Sequence, residues 1–211
     1  MRRRLWLPLL AAAVFLVAGR NAGALSLEQS NLVDLLSESN DIVVGHIGSV
    51  TDGIDEHGIP YTEVKVEISE TIRGNLSGSY TFRQFGLLKA RPTADGKMMM
   101  MPAPEGLPRY TPGQQNLLFL RPAAKRTGLR TTARLGYGKF TVAPGRVEND
   151  MGNAGLFRNV RMGQGVANAA EKRMLVADGA ANPDTFLKFV RRAVREHWVE
   201  TGRMTRAKET R

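Results

Sequence analysis

The side chains of this sequence that could act as nucleophiles, bases or metal ligands are few and scattered. The histidines are His46, His57 and His197, and there is no cysteine. Thiolate nucleophiles, disulfides and cysteine-ligated metals are therefore excluded for this chain. The histidines also do not form H-E-x-x-H, the spacing that places two zinc-binding imidazoles on one helix face. We predict no metal site and no cofactor.

A serine and a histidine lie close together in Gly45-His46-Ile47-Gly48-Ser49, but strand neighbours of this kind do not make a catalytic triad. No G-x-S-x-G elbow is present, and the imidazole has no visible orienting partner. We interpret His46 as a barrel-mouth or core residue, His57 as solvated, and His197 as a cation that closes a helix. No catalytic residue is predicted. A hydrolase with a site assembled from dispersed residues is kept as an alternative.

Asp52, Asp55 and Glu56 occur together in a turn. Three carboxylates could hold Ca²⁺ weakly, but their spacing is not that of an EF-hand loop. A solvated hairpin turn is the favoured interpretation.

Four consecutive methionines, Met98–Met101, stand in a proline-rich irregular segment, residues 91–113. Thioethers can bind Cu(I), but four consecutive residues cannot all face one ion. Packing of the segment over the barrel is the favoured interpretation, and contact with a partner protein comes next, because methionine adapts to varied apolar surfaces. The predicted partner-binding residues are Met98, Met99, Met100, Met101, Leu107 and Tyr110.

The positive charge is concentrated at the two ends of the sequence. The formal net charge is +10, and four arginines of residues 1–24 contribute to it, which leaves +6 for residues 25–211. Residues 188–211 hold eight Lys or Arg and three Glu, so residues 25–187 carry only +1. A nearly neutral body lacks the basic stripe of a nucleic-acid-binding domain, and we expect no nucleic-acid partner.

The first 24 residues have the pattern of a secretory signal peptide. Arg2–Arg4 form a basic region, Leu5–Ala18 an apolar run, and Ala22-Gly23-Ala24 a small-residue cleavage site. Fourteen apolar residues are too few for a membrane-spanning helix, which needs about 20. We expect cleavage near Ala24, export to the periplasm or the extracellular space, and no transmembrane segment afterwards.

The mature chain begins with a predicted short helix at about residues 27–38, opened by a capping box at Ser26 and Gln29. Strands are predicted at residues 41–50, 61–68 and 79–85. Alternation of Val64, Val66 and Ile68 with charged residues indicates one buried and one wet face, as in an antiparallel sheet. The continuous apolar run Leu117–Leu120 predicts a central strand buried on both faces.

Further strands are predicted at residues 129–135 and 137–142, with Gly136 and Gly138 marking a bend or bulge, and a short strand at 146–148. Residues 151–181 show no dependable period and are interpreted as an irregular loop, with a helical turn near 168–176. Asn182-Pro183 opens a helix over residues 182–202, since Asn is a good N-cap and Pro suits the first helical position. Residues 203–211 are expected to be a frayed basic tail.

The C-terminal helix has an apolar stripe that contains Phe186, Val190 and Trp198. We expect the stripe to dock on the barrel rather than to insert into lipid. The opposite face forms the predicted basic surface, which could touch an anionic membrane weakly: Lys188, Arg191, Arg192 and Arg195.

The order of these segments resembles a group of secreted bacterial proteins of uncharacterised function. The resemblance lies in residues 39–47 (S-N-D-I-V-V-G-H-I), 64–67 with 72–74, 107–114 (L-P-R-Y-T-P-G-Q) and 117–121 (L-L-F-L-R). Some members of that group are similar to domains beside matrixin-type zinc peptidases, whose barrel is similar to the netrin-like, OB-type fold of tissue inhibitors of metalloproteinases. Gln114 and Tyr110 depart from the usual Glu and Phe. The Cys-capped N-terminus of the animal inhibitors is absent.

Taken together, these patterns predict a mainly β protein, a small antiparallel OB-like or netrin-like barrel with an N-terminal short helix and a C-terminal helix. Its segments are a signal peptide at 1–24, a barrel domain at 25–150, the loop at 151–181, the helix at 182–202 and the tail at 203–211. The expected role is that of an exported non-enzymatic binding domain for an envelope or secreted protein. A hydrolase and a membrane-surface binder are the alternatives.

Overall fold

The computed structural model describes residues 30–207, so the predicted signal peptide and the Ser26–Gln29 capping box lie outside the described residues. The helices are α1 (Leu32–Glu38), α2 (Ala169–Leu175) and α3 (Pro183–Arg195). The strands are β1 (Asp41–Ile54), β2 (Pro60–Arg73), β3 (Ser79–Phe85), β4 (Arg91–Pro92), β5 (Met98–Met99), β6 (Gln115–Leu120), β7 (Lys139–Ala143), β8 (Arg146–Asn149), β9 (Val160–Met162) and β10 (Met204–Arg206).

Six strands form one antiparallel sheet in the order β3-β2-β1-β6-β7-β8. A mainly β fold with an antiparallel sheet is confirmed. The sheet, however, does not close into the expected barrel over the described residues. Between β3 and β6 the backbone supplies only a short bridging segment: Arg130 N–H donates to Arg83 C=O (2.7 Å), and Arg121 N–H donates to Thr131 C=O (3.0 Å).

The sheet is strongly curved along β1, where the pairing with β2 shifts register three times. Such bulges increase local twist and bend the strand. At Gly45 the two strands come so close that a Cβ would lie 2.6 Å from the carbonyl oxygen of Glu67. Glycine at this position therefore permits the close backbone approach that the bend requires.

Both faces of the sheet are covered, which gives the protein two hydrophobic clusters that share β1 and β6. On β6, Leu117 and Phe119 point to one cluster and Leu118 and Leu120 to the other, so the prediction of a strand buried on both faces is confirmed. The larger cluster contains residues of α1, α3, β7 and β8, and the smaller one contains residues of β1, β2, β3 and β6. Val64 and Val66 belong to the smaller cluster, as their alternation predicted.

Helix α1 begins five residues later than the sequence pattern predicted. Its N-cap is Asn31, whose side chain accepts from the N–H groups of Val33 and Asp34, and the Asp34 carboxylate accepts from the Asn31 N–H in return. This is a complete capping box, formed by Asn and Asp instead of Ser26 and Gln29.

The predicted strand at 129–135 is largely wrong. Only Thr132 forms a bridge, with Leu120, and the chain then enters a 3-10 helix over Leu135–Gly138. Gly136 and Gly138 therefore lie in this helix rather than in a bulged strand. A Cβ at Gly138 would collide with the carbonyl oxygen of Ala133, so the turn is too tight for any other residue.

The segment 151–181 is more ordered than expected, because it contains β9 and α2. The predicted helical turn near 168–176 is confirmed by α2. The expectation of a frayed tail is wrong for residues 204–206: β10 pairs with β9, and Met204 is fully buried. The pairing joins segments about 40 residues apart, which no local pattern could indicate.

Helix α3 begins as predicted, with Asn182 as N-cap accepting from the Thr185 N–H (3.1 Å) and Pro183 in the first turn. It ends at Arg195, seven residues before the predicted end. Just beyond it, His197 takes a left-handed backbone conformation (φ 51°), which stops the helix. Within residues 30–207, no helix has the length and apolar character needed to cross a membrane.

Candidate functional site

The methionine segment forms a two-stranded hairpin, residues 91–101, which we call the methionine hairpin. Strands β4 and β5 pair, and the Thr93 N–H closes the turn on the Lys97 carbonyl (2.8 Å). Met98 is 65 %, Met100 59 % and Met101 40 % exposed. The favoured interpretation, a segment packed over the barrel, is therefore wrong for these three side chains. Next to them Leu88 is also exposed.

A buried carboxylate anchors the methionine hairpin to β1. Asp52 Oδ2 accepts from the backbone N–H groups of Leu88 (2.8 Å) and Lys89 (3.1 Å), and Oδ1 accepts from Arg91 Nε (3.0 Å). Burial raises the pKa of Asp52, but the Arg91 guanidinium and the two N–H donors outweigh it, so the pKa lies below its usual value. Asp52 is thus a structural anchor and not a Ca²⁺ ligand.

Two other residues of the predicted partner-binding set are less exposed than these methionines. Tyr110 is only 9 % exposed and packs edge-on against Phe82, with ring centroids 5.7 Å apart. Burial, with a contribution from Asp150, raises the pKa of its hydroxyl far above the usual value. Leu107 is half-buried. Both residues are therefore less accessible to a partner at the surface than Met98, Met100 and Met101 are.

The predicted basic surface of α3 is largely neutralised by acidic residues. Arg191 forms two hydrogen bonds with Glu70 (Nε–Oε1 and Nη2–Oε2, both 2.6 Å), and Arg192 pairs with Glu171 (2.7 Å). The hydrogen bonds from Arg191 hold the pKa of Glu70 below its usual value, although burial opposes them. Of the four basic residues, Lys188 and Arg195 are exposed, and Arg195 lies 3.5 Å from Glu196.

The apolar stripe of α3 faces the core, as the sequence pattern predicted. Phe186 and Val190 of α3, and Trp198 just beyond its end, are completely buried in the larger cluster, and Phe186 contacts Phe140 at a ring distance of 5.1 Å. The stripe is therefore not available for insertion into lipid.

Among residues 30–207 the three histidines lie on different elements: His46 on β1, His57 in the turn after β1 and His197 after α3. His46 is exposed on β1, so its interpretation as a core imidazole is wrong. His57 is exposed beside Glu56, 3.6 Å away, as predicted for a turn residue. Asp55 accepts from the N–H groups of His57 and Ile59, which closes that turn. In residues 30–207 no three His, Asp or Glu side chains are grouped so that they could hold a metal ion.

A cavity of about 490 Å³ lies beside the 3-10 helix, and no sequence pattern predicted it. Five separate segments line it, so no run of residues in the sequence could indicate it. We call it the Arg134 cavity. Its lining residues are Ser30, Glu38, Gly106, Arg121, Thr132, Arg134, Leu135, Tyr137 and Met151.

The wall of the Arg134 cavity contains a strained piece of backbone. Arg134 (φ 52°) and Leu135 (φ 57°) are consecutive non-glycine residues in the left-handed region. Such conformations cost roughly 1–3 kcal/mol each and persist only where the surroundings impose them. Here the Gly136 N–H bonds to Gly106 C=O (2.8 Å), and Arg134 Nε lies 2.6 Å from Glu38 Oε1.

The described residues thus present two candidate sites: an exposed, anchored hairpin of methionines and a partly apolar cavity lined by two arginines. The first was visible in the sequence as a tetrad of methionines, and the second was not visible there. Comparison with models of known protein families, with curated proteins and with solved structures finds no match for this chain.

Proposed function

We propose that this protein is an exported, non-enzymatic binding module whose methionine hairpin contacts an apolar surface of a partner protein in the cell envelope or among secreted proteins. The observation that carries the proposal is the exposure of Met98, Met100 and Met101 on one short hairpin, with the exposed Leu88 in the segment that precedes it. The Leu87 N–H donates to the Met101 carbonyl (2.7 Å), which brings the two segments together. Apolar patches on protein surfaces mark contact sites when the side chains are contiguous.

The chemistry of methionine supports the same proposal. A thioether on three rotatable bonds adapts its shape to a partner and is polarisable, so it contributes contact energy without demanding one fixed geometry. Flexibility of the side chains is combined with a fixed backbone, because Asp52 ties both Leu88 and Arg91 to β1. An anchored hairpin loses less conformational entropy on binding than a free loop would.

Export and a netrin-like relationship belong to the proposal. The leader pattern of residues 1–24 supports export to the periplasm or the extracellular space. The bridging segment around Arg130 and Thr131 supports the OB-type relationship, since it lies between β3 and β6, where a small barrel would need a closing strand.

Site-specific cross-linking tests the proposal. A photo-reactive amino acid is placed at Met100 in one variant and at Val176 in the control, which is 85 % exposed but lies after α2, away from the hairpin in sequence. In cells that produce the protein, we expect one discrete cross-linked product from position 100 and none from position 176. Equal patterns from the two positions would contradict the proposal.

A second pair of variants measures the contribution of the side chains. Met98, Met100 and Met101 are changed together to Ser, and Val176 alone is changed to Ser as the matched control. Once cross-linking has identified the partner, we expect the triple variant to bind it at least about tenfold more weakly, since several buried CH₂ and sulfur groups are lost. Unchanged affinity with an unchanged melting temperature would reject the hairpin as the contact.

A further inference from the structure

We infer that the Arg134 cavity is a binding site for a small amphipathic anion, a molecule with an apolar body and one carboxylate or similar charged group. The site is separate from the methionine hairpin, and the inference does not depend on the proposed function. It rests on the size of the cavity, its mixed lining, the charge left unpaired at its wall and the strained backbone that shapes it.

The dimensions of the cavity match those of a ligand site. Its volume of about 490 Å³ falls within the range of about 300–1,000 Å³ that small-molecule pockets occupy. Leu135, Tyr137 and Met151 provide an apolar wall, and the Thr132 hydroxyl is already used by the Leu135 carbonyl (2.6 Å). The ligand body that fits such a wall is hydrocarbon.

The charged side chains at the cavity determine which sign of charge a ligand should carry. Arg134 is balanced by Glu38, whose carboxylate lies 2.6 Å from its Nε. Arg121, in contrast, is exposed at the end of β6 and has no ion-pair partner among residues 30–207. The lining therefore carries one net positive charge, on a guanidinium whose planar donors suit a carboxylate.

The strained backbone indicates that the shape of the cavity is maintained at a cost. Both left-handed residues, Arg134 and Leu135, line the cavity. Backbone outliers of this kind concentrate at binding sites, where they place side chains in positions that relaxed backbone would not reach. The outlier, the volume and the unpaired Arg121 are three independent observations on one site.

The test is titration of the ¹⁵N-labelled full chain with octanoate, followed residue by residue in ¹H–¹⁵N NMR spectra, with 1-octanol as the uncharged probe. We expect saturable shifts of the amides of Gly106, Gly136 and Tyr137 with octanoate, and at least about tenfold weaker binding of octanol, as for the loss of one charge-assisted hydrogen bond. The turn amides of Thr93 and Gly96 in the methionine hairpin should not move.

Arg121→Ala should weaken octanoate binding about tenfold and leave octanol binding unchanged. Arg126→Ala is the matched control, because Arg126 is exposed on the same loop but does not line the cavity. Absence of shifts around Gly136 at millimolar octanoate, or shifts at Thr93 and Gly96 instead, would overturn the site. Equal binding of octanol and octanoate, or full octanoate affinity in Arg121→Ala, would overturn the assignment of an anion.

Discussion

Arg130 and Asp41, 89 residues apart in the sequence, form an ion pair in which the side chains are only 7 % and 12 % exposed. The Arg130 guanidinium also donates to Tyr80 Oη (2.7 Å) and to the Arg121 carbonyl (2.5 Å). One side chain therefore connects the start of β1, strand β3 and the end of β6. These contacts hold the bridging segment in the gap that the open sheet leaves.

Removing the Arg130 side chain should destabilise the folded protein, because it leaves the Asp41 carboxylate buried without its partner. We expect Arg130→Ala to lower the free energy of unfolding by about 3–5 kcal/mol, measured by urea denaturation. Arg126→Ala, at an exposed position, is the control and should change it by less than about 0.5 kcal/mol. The double variant Asp41→Asn, Arg130→Ala should recover part of the stability that Arg130→Ala loses, because no buried charge is then left unpaired. If Arg130→Ala lost no more stability than Arg126→Ala, the ion pair would not hold the fold together.

The lowered pKa of Asp52 predicts that the free energy of unfolding depends on pH in the acid range. Its pKa is lowered in the folded protein, so the unfolded chain binds the proton more readily. The contribution of Asp52 is therefore fully present above the ordinary Asp pKa of about 3.9 and is lost as the pH falls through the lower folded value.

The comparison of Asp52→Asn with the unchanged protein isolates this effect. At pH 7 we expect the variant to be less stable by about 1–3 kcal/mol, since Arg91 loses a charged partner. The difference should shrink as the pH falls below about 4, measured by thermal unfolding across pH. A difference that stays constant down to pH 2 would rule out Asp52 as its source.

The close approach at Gly45 can be tested by adding one methyl group. Gly45→Ala would place Cβ 2.6 Å from Glu67 O and 2.8 Å from Val66 Cγ1, and we expect a loss of about 1–3 kcal/mol in unfolding free energy. Gly48→Ala is the matched control on the same strand, since its nearest contacts would be ordinary at 3.5 Å. Equal melting temperatures of the two variants would show that β1 and β2 can move apart.

The exposure of the methionines predicts an order of oxidation. A peroxide adds one oxygen to an accessible thioether, which turns an apolar side chain into a polar sulfoxide. In the folded protein we expect Met98 and Met100 to be oxidised first, and Met174 (8 % exposed) and Met204 (0 %) last, as read by peptide mass spectrometry.

The same reaction in guanidinium chloride provides the control, because unfolding should make all the methionines react at similar rates. If Met204 reacted as fast as Met98 in the folded protein, the burial of β10 would be contradicted. Loss of partner binding in step with oxidation of Met98 and Met100 is expected under the proposed function.

Sequence patterns predicted the parts of this fold that are determined locally. The alternation in β2, the apolar run of β6 and the Asn182 cap each depend on residues that are close together in the sequence. The methionine tetrad was likewise readable, although its exposure was not.

Other features were not predictable, because they depend on contacts that the sequence does not place side by side. Apolar and polar residues alternate over 129–135 as in a strand, yet tertiary contacts hold the backbone of Arg134 and Leu135 in the left-handed conformation. The pairing of β9 with β10 joins distant segments. The Arg134 cavity is assembled from five segments, and no spacing rule connects Ser30 to Met151.

The position of β10 has a consequence for the order in which the protein can fold. Met204 is buried in the same cluster as Leu32, and Arg206 Nη1 lies 2.5 Å from Asp34 Oδ2 on α1. The first helix and the last strand thus complete one another's packing. The larger cluster therefore cannot be completed before residues 204–206 pack beside α1, so its last contacts join two distant parts of the chain.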